Sequence, residues 1–149
     1  MTSFQQSYLE LPDAFYELQS PHPVEKPKMV IWNERLAEEL GIDPELDLFS
    51  GNRFSKHLRP LSQAYAGHQF GHFTLLGDGR ATLLGEVQNN KGHVFDVQLK
   101  GSGRTRFSRG GDGRAALEPM LREYLISEAI FALGIPTSRS LCVVSTGES

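Results

Sequence analysis

The sequence predicts an α+β fold in which an antiparallel sheet is followed by one long helix. Two runs with strand character flank the turn sequence NNKG at 89–92, namely ATLLGEV and HVFDVQLKG, and this pattern is typical of a β-hairpin. A helical pattern comes next, with Pro119 in its first turn, Gly134 at its end and Pro136 just beyond. The apolar run LCVVS at 141–145 indicates one more strand, which we expect to be buried.

The beginning of the chain has a different character, because it is polar and contains four prolines. Proline restricts the backbone to extended conformations, so we expect residues 1–28 to be an extended segment lying over the domain formed by 29–149. Within that domain a short helix is predicted to begin after Asn33, a good N-cap, and to end at Gly41. Its apolar face is expected to consist of Leu36, Ala37 and Leu40.

Side chains alternate between the two faces of the hairpin's second strand. Phe95, Val97 and Leu99 are predicted to face the core. Lys100 falls on the opposite face, at the end of the strand. The long helix carries an apolar stripe with Glu123 at its edge. The stripe consists of Leu117, Met120, Leu121, Tyr124 and Phe131.

Composition excludes several classes of protein. The 149 residues carry a net charge of −3, with 39% hydrophobic and 22% charged residues, as expected of a soluble globular domain. No apolar run is long enough for a membrane-spanning helix, and the N-terminus lacks the features of a signal peptide, so we expect a cytoplasmic protein without a membrane partner. The single cysteine, Cys142, excludes an internal disulfide and a cysteine-built zinc site. General nucleic-acid binding is not expected of an acidic chain.

Positive charge is nevertheless concentrated in residues 98–114, QLKGSGRTRFSRGGDGR. Its five glycines let the backbone approach a ligand, and its four arginines are suited to bind phosphate through paired hydrogen bonds. We therefore expect 101–114 to bind an anion and to be mobile until the anion orders it. The alternative is an RNA-binding segment of the Arg-Gly-rich kind, although the stretch holds one aromatic residue, Phe107.

A lysine at the end of a strand and a glutamate on the following helix are the arrangement with which kinase-like lobes hold phosphate groups. Lys100 and Glu123 lie 23 positions apart, which accommodates a loop and a turn or two of helix. Glu128 lies nearer the centre of the apolar stripe and is a second candidate for the pairing. Spacing alone does not distinguish this arrangement from an ordinary lysine at a strand end.

A second anion-binding element is indicated by LGDGRATLLGE at 76–86. Gly77 and Gly79 form a tight turn whose backbone N–H groups can approach an anion, and Arg80 adds a forked donor. The alternative is a simple hairpin turn, because Asp-Gly pairs are common between strands. No Walker A sequence occurs in the chain.

The run AYAGHQFGHF places His68 and His72 four residues apart, the spacing of a zinc-binding pair on a helix. Gly67 and Gly71 disfavour a helix there, and no third ligand is evident. We expect instead an element in which aromatic and histidine side chains pack together.

Five long and unusual stretches cover most of residues 29–147, namely VIWNERLAEELGID, AYAGHQFGHF, LGDGRATLLGE, FDVQLKGSGRTRFSRGGDGRAAL and LREYLISEAIFALGIPTSRSL. Together, and in this order, they resemble the selenoprotein O family of kinase-like protein adenylyltransferases. The resemblance implies a protein-kinase-like N-lobe, a pseudokinase fold that holds ATP in an orientation flipped relative to ordinary kinases. It also implies transfer of AMP from ATP, with Mg²⁺ or Mn²⁺, to Ser, Thr or Tyr hydroxyls of other proteins.

The resemblance assigns roles to individual residues. The nucleotide-binding positions that it implies are Gly77, Gly79, Arg80, Lys100, Asp112 and Gly113. It also implies that Glu123 partners Lys100. Two departures from the family pattern lie nearby, Arg106 in place of an expected proline and EPM at 118–120 in place of smaller or polar residues.

Members of the family are several times longer than this chain. Their catalytic aspartate and their metal-ligating Asn and Asp are expected beyond Ser149, so the resemblance implies an N-terminal fragment that is inactive alone, without catalytic or metal-binding residues. Two alternatives stay open: a module that binds RNA or another polyanion, and a lobe of a kinase that transfers the γ-phosphoryl group.

Overall fold

A computed structural model describes residues 2–69 and 71–148 of the chain. The largest sheet is antiparallel with strand order β1–β3–β6–β7, the strands being Tyr16–Leu18, Leu61–Gln63, Ala81–Gln88 and Val94–Lys100. Two smaller antiparallel pairs are β2–β8, formed by Lys28–Trp32 and Cys142–Ser145, and β4–β5, formed by Ala66–Gln69 and His72–Leu75. The α-helices of the described part are α1 (Glu34–Leu40), α2 (Leu46–Phe49) and α3 (Leu117–Ala132). The predicted α+β class with antiparallel strands is confirmed.

No helix among the described residues has the length and apolar character needed to cross a membrane.

The predicted β6–β7 hairpin is confirmed, with its turn at 89–92. The turn is fixed by Asn89, whose backbone N–H donates to the His93 carbonyl at 2.9 Å and whose Oδ1 accepts from the Lys91 and His93 N–H groups. At the other end of the hairpin Ala81 is paired with Lys100. Because the strands are antiparallel, the residues before β6 and those after β7 meet at this open end.

The core lies between the β6–β7 face of the sheet and helices α1 and α2. As predicted, Asn33 caps α1 by accepting a hydrogen bond from the Leu36 N–H at 3.2 Å, and Gly41 ends the helix. The core cluster consists of Leu36, Leu40, Ile42, Leu48, Phe49, Leu84, Val87 and Val97. Among the predicted core residues of β7, Val97 is buried and Leu99 is partly buried against this cluster.

The prediction for Phe95 was wrong, because 37% of this side chain is exposed. Phe95 lines a groove of about 700 Å³ that runs between β7, α3 and β8. The alternation along β7 is therefore right, but one end of its apolar face lies over open space.

The first 28 residues are more than an extended segment. They contain 3₁₀ turns at Ser7–Glu10 and Asp13–Phe15, and they contribute β1 to the main sheet. Gln5 also pairs with Glu86 of β6, the two backbones exchanging N–H···O bonds of 2.9 and 2.8 Å. The segment thus covers part of β6 that α1 and α2 leave open, which explains why β6 is buried along most of its length.

Helix α3 has the predicted ends, with Pro119 in its first turn and Gly134 beyond its last residue at φ +76°. Its apolar stripe differs from the prediction, because no residue of α3 is fully buried. Leu117 and Phe131 remain 43% and 44% exposed. The predicted strand β8 is formed, and it pairs with β2, a pairing that the sequence did not reveal. We expected β8 to be buried, but Val143 is its one buried residue.

Candidate functional site

Two segments singled out by the sequence meet at the open end of the β6–β7 hairpin. The glycine turn, residues 77–80, precedes β6, and the arginine loop, residues 101–114, follows β7. They are in direct contact, since the Gly101 N–H donates to the Arg80 carbonyl at 2.6 Å. The antiparallel pairing of β6 and β7 therefore brings together candidate residues that are separated in sequence by the whole hairpin.

Lys100 and Glu123 form the predicted pair, with 2.6 Å between Nζ and Oε2. The competing candidate, Glu128, faces away from Lys100 and binds Arg139 instead. Both members of the Lys100–Glu123 pair are about half exposed, at 45% and 48% of their side chains. Such an exposed pair contributes little to stability, so its main consequence is to hold the ammonium group at one place on the surface.

Asp78, at the centre of the glycine turn, is buried and fixes the shape of the turn. Its Oδ2 accepts hydrogen bonds from the Gln63 N–H at 3.0 Å and from Gln98 Nε2 at 2.9 Å. Burial raises the pKa of the Asp78 carboxyl, and the hydrogen bonds from Gln63, Gln98 and Tyr65 offset part of that rise. Sequence reasoning overlooked Asp78, although an acidic residue between two glycines was a visible signal.

Gly77 is required because the arginine loop packs on the turn. Its φ is +88°, and a methyl group in place of its hydrogen would lie 2.5 Å from the ring of Phe107. Phe107 of the arginine loop thus packs on Gly77 of the glycine turn, where any residue with a Cβ would collide with the ring.

Side-chain hydrogen bonds join the arginine loop to the glycine turn. Thr105 Oγ1 donates to the Asp78 carbonyl at 2.6 Å, and Ser108 Oγ donates to the Gly79 carbonyl at 2.6 Å. These small hydroxyl side chains satisfy the carbonyls of the glycine turn and join the two segments into one unit. Residues 109–112 form the exposed tip.

Arg106 and Arg114 of the loop are already engaged by the protein. Arg106 pairs with Glu17 of β1 at 3.1 Å. Arg114 donates to the carbonyls of His22 and Pro23 and contacts Glu148 at 3.3 Å. These arginines hold the N-terminal segment against the loop and are less suited to bind a ligand than the sequence indicated.

Within 2–69 and 71–148, Arg80 and Arg104 are exposed and have no acceptor on the protein. Asp112 accepts a hydrogen bond from the Arg114 N–H at 2.9 Å, and Gly113 is buried beneath it. Arg80 and Arg104 thus add exposed positive charge in the two segments that adjoin Lys100. The arrangement is suited to bind a polyanion such as a chain of phosphates.

The two predicted histidines lie on a hairpin rather than a helix. His68 is on β4 and His72 on β5, and the His68 ring contacts Phe73 edge to face at 5.4 Å. The expectation of packed aromatic and histidine side chains is confirmed. Across the described residues there is no group of three or more His, Cys, Asp or Glu side chains placed to hold a metal ion.

Hydrogen exchange of the full-length protein tests the preformed arginine loop. We expect the Gly101 and Gly103 amides to be protected without ATP, because they donate to the carbonyls of Arg80 and Gly113. If the loop binds the ATP that the resemblance implies, we expect its exposed tip, 109–112, to gain protection when ATP–Mg²⁺ is added. Rapid exchange at Gly101 without ATP would contradict the preformed loop, and an unchanged tip would remove 109–112 from the ligand site.

Comparison with known proteins shows the family of the chain. The family model described as Protein adenylyltransferase SelO matches residues 1–149. The chain is 60% identical to the Protein nucleotidyltransferase YdiU of Halalkalibacterium halodurans, over 99% of the chain and 31% of that protein. It is 59% identical to the protein of the same name from Brevibacillus brevis, with the same coverage. The chain therefore belongs to the SelO family of protein adenylyltransferases, and it spans 31% of the length of these relatives.

Proposed function

We propose that this chain is the ATP-binding part of a protein adenylyltransferase and has the architecture of a kinase-like N-lobe. The observation that carries the proposal is the Lys100–Glu123 pair beside the glycine turn, at one end of an antiparallel hairpin. A strand lysine held by a helix carboxylate is the part of a kinase-like lobe that contacts phosphates. We also propose a cytoplasmic location, as the composition indicates.

The charged residues at the open end of the hairpin are suited to bind a nucleoside triphosphate. Arg80 and Arg104 are surface cations in the two segments that adjoin Lys100 at the end of β7. The Asp78 and Gly79 N–H groups are donated to the carbonyls of Gln63 and Gly77, so the support for phosphate binding comes from the three cations. We assign ATP binding to Gly77, Gly79, Arg80, Lys100, Asp112 and Gly113, with Glu123 in support. ATP supplies the adenylyl group to be transferred and the pyrophosphate that leaves.

The chain's own residues bind and orient in this proposal; they do not move the proton. Lys100 places positive charge where negative charge develops on the phosphates, and Glu123 keeps the ammonium group in place so that it need not reorganise during the reaction. We propose that the base and the ligands for Mg²⁺ or Mn²⁺ lie beyond Ser149 in the full-length protein. The acceptors are proposed to be Ser, Thr or Tyr hydroxyls of other proteins.

The polyanion alternative has less support from the arginine loop. Binding to single-stranded nucleic acid uses aromatic faces for stacking, and the ring of Phe107 is packed on Gly77 instead. Arg106 and Arg114 are paired within the protein. RNA titration at two salt concentrations tests this alternative, because steeply salt-dependent RNA binding without an ATP response would favour it.

Transfer of AMP and transfer of a γ-phosphoryl group are distinguished by the position of a label in ATP. With the full-length protein and an acceptor protein, we expect label from the α-phosphate to become covalently attached and label from the γ-phosphate not to. Residues 1–149 alone should transfer neither, because the proposal places the base and metal ligands outside them. Attachment of the γ-label would make the protein a kinase, and labelling by residues 1–149 alone would show that the catalytic residues lie within them.

A further inference from the structure

In the described part of the chain, helix α3 contributes no side chain to the core cluster or to the apolar residues packed against it. None of its residues is fully buried, and Leu125 and Ile126 are 63% and 59% exposed. The groove of about 700 Å³ separates much of the helix from β7. Yet Glu123 meets Lys100 only if α3 keeps one rotation and one axial position, because each residue turns a helix by about 100° and advances it by about 1.5 Å.

A set of polar contacts, here called the helix clamp, joins α3 to two other elements. It consists of Glu128 on α3, Arg139 and Ser140 before β8, and Asn33 before α1. Arg139 binds Glu128 through two parallel hydrogen bonds from one edge of its guanidinium, with Nε 2.7 Å from Oε1 and Nη2 2.6 Å from Oε2. Asn33 Nδ2 donates to Oε2 at 2.9 Å, and the Ser140 N–H donates to Oε1 at 3.3 Å.

The helix clamp is anchored to α1, which contributes Leu36 and Leu40 to the core cluster. Asn33 caps α1 with its side-chain oxygen while its amide nitrogen donates to Glu128. The Arg139 guanidinium also lies 3.6 Å from the ring centre of Phe131, one helical turn further along α3. Arg139 and Glu128 are 16% and 23% exposed, much less than Lys100 and Glu123.

Hydrogen bonding to Arg139 is the main reason that the pKa of Glu128 lies below its usual range. The stabilisation that this ion pair provides is therefore complete above the ordinary carboxyl pKa and is lost only as the pH falls through the lowered value. At neutral pH Glu128 is charged and the helix clamp is intact.

We propose that Arg139 is a positioning residue for adenylyl transfer: through Glu128 it holds α3 where Glu123 meets Lys100. The inference rests on the proposed function. Glu128 lies five positions after Glu123, about 7.5 Å along the helix, so a helix fixed at Glu128 is fixed at Glu123 as well. Besides the helix clamp, a hydrogen bond of 3.0 Å between the Ser127 and Ser140 hydroxyls joins α3 to the segment before β8. In the described part of the chain, the only polar contact between α3 and β7 is the half-exposed Lys100–Glu123 pair.

The test is a double-mutant cycle on kcat/KM for AMP transfer by the full-length protein, with Arg139→Gln and Glu123→Gln as the two changes. We expect Arg139→Gln alone to lower kcat/KM by about tenfold to a hundredfold, the size of effect that a small displacement of a reactive group produces. In the Glu123→Gln background we expect it to have little further effect, since no pair is left to position. A structural role alone would lower activity equally in both backgrounds.

Arg122→Gln is the matched control, because Arg122 lies on the same helix but pairs with Glu118 on the exposed side. We expect it to leave kcat/KM unchanged. If Arg139→Gln does not fold, Arg139→Lys takes its place in the cycle, because lysine keeps the charge but cannot make the paired hydrogen bonds.

The outcomes separate this inference from the proposed function. If Lys100→Ala leaves transfer intact, the proposed function fails. Suppose that Lys100→Ala and Glu123→Gln impair transfer, but Arg139→Gln lowers kcat/KM by the same factor with and without Glu123→Gln. Then only the positioning role of Arg139 is overturned. Loss of the Arg139 effect in the Glu123→Gln background supports it.

Discussion

Replacing Lys100 by alanine in the full-length protein is expected to lower kcat for AMP transfer by about 10²–10³-fold, the usual cost of removing one donor to developing negative charge. The fold should survive, because the Lys100 side chain is 45% exposed and its ion pair with Glu123 is open to solvent. Transfer of α-phosphate label to an acceptor protein measures the first effect, and the midpoint of thermal unfolding measures the second.

Lys91→Ala is the matched control for this change. Lys91 is an exposed lysine of the same hairpin, but it lies in the turn at the end opposite to Lys100. We expect it to change neither transfer nor stability. Transfer by the Lys100→Ala protein within about twofold of the unmodified protein, a free-energy difference well under 1 kcal/mol, would remove Lys100 from its assigned role.

Features set by neighbouring residues could be predicted from the sequence. The 89–92 turn, the Asn33 cap and the Gly134 end of α3 each depend on the conformational preference of a few consecutive residues. The Lys100–Glu123 pair was predicted through the family resemblance, because spacing alone left Glu128 and an ordinary strand-end lysine as alternatives.

Features that depend on contacts between distant parts of the chain could not be predicted from the sequence. Arg106 is neutralised by Glu17, which lies 89 positions away, so its sequence context indicated a free cation where the structure has an ion pair. The order of the arginine loop likewise depends on Thr105 and Ser108, whose hydroxyls find acceptors only when the glycine turn is folded beside them. Composition indicated a flexible segment, because the glycines are visible in the sequence and these hydroxyl contacts are not.

A second large effect is expected from Gly113→Ala, at a position assigned to ATP binding. Gly113 has φ +72°, and an alanine methyl group would lie 1.9 Å from the Gly103 carbonyl oxygen. Gly103 is buried, and its N–H donates to the Gly113 carbonyl. Movement of either residue away from the overlap would therefore break this hydrogen bond. The left-handed backbone and the overlap together should lower the free energy of unfolding by roughly 2–5 kcal/mol.

The comparison with Gly110→Ala separates the backbone cost from the cost of the close contact. Gly110 has a similar φ of +87°, but no atom lies within 4 Å of the position that a methyl group would take. Its replacement should cost only about 1 kcal/mol. The midpoint of thermal unfolding should therefore fall much further for Gly113→Ala than for Gly110→Ala. Equal shifts would mean that Gly103 and Gly113 are not in contact, and the arginine loop would then lack the closure that keeps Lys100 and the glycine turn at one site.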